Sequence, residues 1–262
     1  MFIKGARMPQ RLMDLDYLIE TENNVIHSTL NEWSVGGETL TEIINLLFKL
    51  SHFINEDYEI ESDDNSFQII AYSSYLRLPY TLKSIQDLWL RGYYLESFIL
   101  IRHIVEGFVK LRYFTDHRNQ IKQHLTAIKH RDRISFKKMF DTVAPNFYNL
   151  HYGRILCGYS HGDLIAYFTR TVYSSQTDGR VIAGCEFNFK LSGLIINQTL
   201  TFCYGYLNYV DDFFPSINDK LPCDLSKQFK KILTNLNSMM NSPRKKTTQQ
   251  KGWEEVIRPF VE

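Results

Sequence analysis

At 262 residues, with 44% hydrophobic and 23% charged side chains, the chain is long enough to bury a substantial core and needs neither a metal nor a disulfide to fold. Thirty Lys plus Arg stand against 29 Asp plus Glu, so the net charge of +1 excludes a global attraction to nucleic acid, membrane or acidic partners and leaves any such binding to local patches. Cys157, Cys185, Cys203 and Cys223 stand singly, with no C-x-x-C pair, which argues against a zinc knuckle and against a dense disulfide framework.

From Arg11 to Trp33 and from Glu38 to Phe53, apolar residues recur at three- and four-residue intervals, predicting two amphipathic helices with Gly36-Gly37 between them as hinge or cap. The acidic stretch from Glu56 to Asp64 carries too little apolar surface for a core and reads as an exposed connector. Phe67 to Phe114 is the longest helical pattern, and Pro79 and Gly92 mark where it kinks or divides. Its second part, from Tyr93, reads as the most apolar and central helix of the chain. Arg102, His103, Glu106 and Lys110 share about one quarter of its helical wheel, forming a narrow polar stripe with His103 and Lys110 at the edge.

Asn119 to Phe140 is basic, and is either a phosphate-facing surface or the wet side of a helix. On the first reading Arg131, Arg133, Lys137 and Lys138 bind RNA. Phe147 to Phe168 suits a helix despite Gly153, Gly158 and Gly162, each of which costs about 1 kcal/mol relative to Ala and signals close backbone approach. Around 169–189, β-branched and aromatic residues flank a Thr-Asp-Gly turn, as in a small β-hairpin or an extended insertion. Helical periodicity resumes at 191–214 and 225–240, and a basic, polar tail begins at Ser242.

The segment with chemical promise runs from His151 to Asp163. Arg154 and His161 are seven residues apart, about 700° of helical rotation, which places them about 20° apart on one face and about 10 Å apart along the axis. Gly158 lies between them on that face and leaves a gap free of side chain.

Here the chain resembles the HEPN-like helical proteins, many of them ribonucleases of toxin–antitoxin, abortive-infection and CRISPR systems, whose motif is Arg, four to six residues, then His. Ile155 stands where that family often has a polar residue after the Arg. A looser resemblance, carried by 92–106 and by Tyr159-Ser160-His161-Gly162-Asp163, is to uncharacterised bacterial helical proteins in which an Arg and a Glu on a central helix accompany a later Ser and His. The two together cover about residues 70–215.

The resemblance implies metal-independent RNA cleavage in the cytoplasm, with no cofactor. His161 is then a general acid or base and Arg154 binds the scissile phosphate, with Ser160 and Asp163 as weaker supports. Arg102 and Glu106, four residues apart, either orient that pair or form a structural ion pair holding helices in register. A homodimer with a composite site, and an antitoxin or defence-system protein as partner, are further implications.

The expected fold is therefore mainly α. A HEPN-like bundle spans 66–241, with an N-terminal helical extension (1–60) packed on it and a flexible basic tail (242–262). The competing function is a non-catalytic HEPN-like interaction module. A metal-binding bundle ranks last, since neither a Glu-x-x-His motif nor a His pair stands at convincing metal spacing. The start Met1-Phe2-Ile3-Lys4 lacks the apolar run of a secretory signal, and no stretch reaches the ~20 apolar residues of a membrane span, so the expected location is cytoplasmic.

Overall fold

The computed structural model describes residues 15–58, 65–127, 133–145, 148, 152, 156 and 187–241. Among these residues the chain is helical, without strands: α1 (Leu15–Glu56), α2 (Asn65–Leu90), α3 (Tyr94–Asp116), a 3-10 turn (Arg118–Gln120), α4 (Ile121–Thr126), α5 (Phe136–Val143), α6 (Phe189–Asn208), α7 (Val210–Phe213), α8 (Ile217–Lys220) and α9 (Cys223–Asn241). No described helix is long and apolar enough to cross a membrane.

The side-chain contacts fix how the helices run. Thr41 meets Gln86 and Ser51 meets Tyr75, so α1 and α2 are antiparallel. Tyr94 bonds the Asn188 amide and Tyr206 bonds the Ile104 carbonyl, so α3 and α6 run the same way. Lys49 reaches Gln228 while Thr39 reaches Met239, which sets α9 antiparallel to α1. One hydrophobic cluster joins Leu40 to Ile54 of α1, Phe67 to Trp89 of α2, Phe98 to Phe114 of α3, and the inward faces of α6 and α9. Each large apolar side chain buried there contributes about 1.5–3 kcal/mol of transfer free energy.

Several sequence expectations are corrected. The helical break in α1 falls at Trp33 (φ −128°, ψ 30°), not at Gly36-Gly37. Both glycines are buried inside the helix; a Cβ on Gly36 would lie 2.9 Å from Ile196, which needs that space, whereas one on Gly37 would make ordinary contact with the Trp89 ring at 3.5 Å. Pro79 sits inside an uninterrupted α2. A proline removes the N–H that would bond the carbonyl four residues earlier, here Tyr75, and the buried Ser51 hydroxyl donates to that carbonyl at 2.9 Å instead. Gly92, at φ 82°, does divide α2 from α3. Tyr93 N–H bonds the Leu88 carbonyl and Gly92 N–H bonds that of Trp89, closing the helix in a Schellman arrangement that favours glycine.

The most apolar helix is α6, with 15 buried residues out of 20, against 11 of 23 in α3. Phe189 opens α6, with Asn188 accepting from Leu191 N–H as its N-cap, so it does not end a strand. The rest of the expected hairpin, residues 169–186, lies outside the described residues. The basic stretch divides into the 3-10 turn, α4 and α5, the last capped by Ser135. Within the acidic stretch, Tyr58 is buried and meets Phe214 edge-on at 5.7 Å, so the expected exposure fails there, and residues 59–64 lie outside the described residues.

Candidate functional site

Successive positions four apart on α3 place Arg102, Glu106 and Lys110 along one face, while Phe98, Ile101, Val105 and Phe108 are buried in the core. His103 is exposed at the edge of this stripe, whereas Lys110 is half-buried within it. Arg102 Nε donates to Glu106 Oε1 at 2.7 Å, and both side chains are largely covered. The Tyr152 phenol donates to the same carboxylate oxygen, and Arg102 Nε also approaches the phenol oxygen at 3.2 Å. Burial disfavours the guanidinium charge, but the bonds to Glu106 and Tyr152 outweigh it and hold the Arg102 proton more tightly than usual.

Tyr152 is placed by aromatic packing. Its ring lies 4.5 Å from Phe140 of α5 and 5.4 Å from Tyr148, and the Arg102 guanidinium carbon sits 5.5 Å from its centroid. Leu156 is buried in the same core. Tyr148, Tyr152 and Leu156 recur every four residues, a pattern that could have marked them as one docking face. Sequence reasoning gave Tyr152 no role.

One turn further along α3, Lys110 Nζ rests 4.7 Å from the centre of the Phe136 ring. Burial lowers its pKa, with Arg133 adding to the effect and Glu106 opposing it. His124 packs on Phe114 at 5.3 Å; burial, then Lys110 and Arg133, lower its pKa. Arg133 is anchored by donation from its Nε to the Ala127 carbonyl at 3.3 Å. Of the other basic residues expected on RNA, Lys137 is exposed and 3.8 Å from Asp141, Lys138 is exposed on α5, and Arg131 lies outside the described residues. Arg133, also exposed, is near enough to Lys110 to lower its proton affinity, while Lys137 and Lys138 stand on a solvated helix face.

Arg154, Ser160, His161 and Asp163 also lie outside the described residues. Tyr152 stands two positions before Arg154, so the chain enters the motif from a residue bonded to Glu106.

A concavity of about 110 Å³ is lined by Phe108, Arg112, Tyr113, Asp116, His117, Thr142 and Val143. His117 stacks on Tyr113 at 4.3 Å, and its Nδ1 lies 2.9 Å from the Tyr113 carbonyl, which only accepts, so Nδ1 carries the proton. Arg112 is committed to Asp212 at 2.8 Å and to the face of Tyr209 at 3.8 Å. Among the described residues, no three His, Cys, Asp or Glu converge as metal ligands. Cys203 is buried and Cys223 exposed, and neither is in a disulfide.

Neither the family models, nor the curated proteins, nor the solved structures compared with this chain give a match.

Proposed function

We propose that the chain is a metal-independent endoribonuclease of the bacterial toxin or anti-phage defence type, acting as a homodimer with Arg154 and His161 at a shared site. The observation that carries this reading is the bonding of Tyr152 to the Arg102–Glu106 pair, which tethers the start of the motif segment to the central helix. An Arg/His pair is useful to such a reaction only if its segment is held rigidly.

In this reaction the ribose 2′-oxygen attacks the adjacent phosphorus and the bond from phosphorus to the 5′-oxygen breaks. The products are a 2′,3′-cyclic phosphate and a 5′-hydroxyl. His161 takes the 2′-hydroxyl proton or supplies one to the departing 5′-oxygen, as an imidazole titrating near neutrality is suited to do. Arg154 neutralises charge building on the phosphate oxygens. Arg102 and Glu106 act as positioning residues through Tyr152.

Purified protein incubated in EDTA with total RNA and end-labelled oligonucleotides tests this. Cleavage leaving cyclic phosphate ends, and lost in folded Arg154→Ala and His161→Ala variants, is the expected result. Absence of cleavage by the folded wild type turns the reading to a non-catalytic interaction module. One observation favours that second reading: Phe48 and Tyr80 pair edge-on at 5.0 Å on the outer surface of α1 and α2, where both are exposed.

A further inference from the structure

Lys110, Arg133 and His124 gather at the far end of the α3 stripe with no described carboxylate paired to any of them. Glu106, the acid described on that face, already accepts from Arg102 and Tyr152. Lys110 is half-buried over an aromatic face, whereas Arg133 is exposed, with its Nε held by the Ala127 carbonyl. His124 adds an independent sign: its Nδ1 is buried and has no hydrogen-bond partner. An unpaired buried N–H costs more than an unpaired lone pair, so the neutral ring carries its proton on Nε2 and offers a donor there. Lys110, Arg133 and the His124 Nε2 then all present donors, and the one acceptor of the three groups, His124 Nδ1, is buried.

We infer that Lys110, Arg133 and His124 form a binding site for a phosphate group. Three donors of different reach match the several oxygens of a phosphate better than the two of a carboxylate, and guanidinium and ammonium groups are both suited to bind it. Burial first, and then repulsion from neighbouring cations, lowers the proton affinities of Lys110 and His124, and an entering anion offsets the repulsion. If the ribonuclease reading holds, the occupant is an RNA backbone phosphate away from the scissile one; that identification rests on the reading, whereas the phosphate site does not.

The test follows the His124 imidazole by NMR in full-length protein as inorganic phosphate is added at constant ionic strength. A saturable response, with His124 titrating at higher pH when phosphate is bound, is expected in wild type and in Lys110→Arg. It should vanish in the folded Lys110→Gln/Arg133→Gln double variant. In a second arm, a single-stranded RNA oligonucleotide binds protein made non-cleaving by Arg154→Ala. There the double substitution should weaken affinity about tenfold or more and reduce the salt dependence by about two counterions.

No saturable response to phosphate, or one unchanged in the double variant, overturns the site. A phosphate response with undiminished RNA affinity supports the site and assigns it to a free phosphate-bearing ligand. Failure of RNA cleavage leaves the phosphate arm unaffected, so the two proposals fail separately.

Discussion

Ser51 donates its hydroxyl to the Tyr75 carbonyl at 2.9 Å, the one carbonyl of α2 that Pro79 deprives of its helical donor. A side chain on one helix thus completes the hydrogen bonding of its neighbour. Ser51→Ala should cost about 1–2 kcal/mol, the penalty for a buried carbonyl without a donor. Restoring the N–H with Pro79→Ala should remove most of that cost, measured as coupling in a urea-denaturation cycle. Equal costs of Ser51→Ala in both backgrounds would show that the hydroxyl does not stand in for the missing amide.

The close contacts of α6 predict unequal costs for the same substitution. An added Cβ on Gly205 would meet Phe108 ring atoms at 2.9 and 3.1 Å, and Phe108 is wholly buried with nowhere to move. Gly205→Ala should therefore lose about 2–3 kcal/mol from overpacking. At Gly193 the clash is with Trp33 at 2.5 Å, but this ring is only partly buried and can swing outward, so Gly193→Ala should cost less. Thermal melts of the two variants decide, and the reverse order would refute the explanation.

Tyr152→Phe keeps the ring among Phe140 and Tyr148 but removes the phenol from Glu106. Stability should fall by about 1–2 kcal/mol, as for loss of a hydrogen bond to a charged group. In a Glu106→Gln background the loss should be smaller. If RNA cleavage is found, kcat should drop in Tyr152→Phe without a matching rise in KM. An identical stability loss in both backgrounds would separate Tyr152 from the ion pair.

The lowered proton affinity of His124 has a definite sign in the pH dependence of stability. Its folded pKa lies below the unfolded value of 6.5, so the unfolded chain binds more protons between the two values and stability rises with pH there. The contribution is complete above about 6.5, declines as pH falls, and levels off below the folded pKa. His124→Gln should flatten this part of the profile measured by urea denaturation. Phosphate should flatten it too in the wild type.

The helices were legible wherever apolar residues keep a 3.6-residue period, as in α1, α3 and α9, because each has one buried face. Pro79 was misjudged because the donor that rescues it, Ser51, lies 24 residues before the Tyr75 carbonyl it serves, beyond any local pattern. The Gly36-Gly37 pair was misread for a related reason: glycines permit both hinges and close packing, and the position of Ile196 over Gly36 distinguishes the two. In the candidate site, the four-residue spacing of Arg102 and Glu106 announced their pairing. Tyr152 stayed hidden because the carboxylate it bonds is 46 residues away, and the grouping of Lys110 with His124 and Arg133 depends on how the chain turns after α3.

The near-complete enclosure of α6 bears on how the sequence can vary. Glycines, a serine hydroxyl and a thiol all lie buried along it, and α1, α2, α3 and α9 each lean on a different part of its surface. A saturation library should therefore find this helix the least forgiving stretch of the chain, with even alanine rejected at Gly205, while the outer face of α9 accepts most replacements. Change in this lineage would then accumulate around α6 rather than through it.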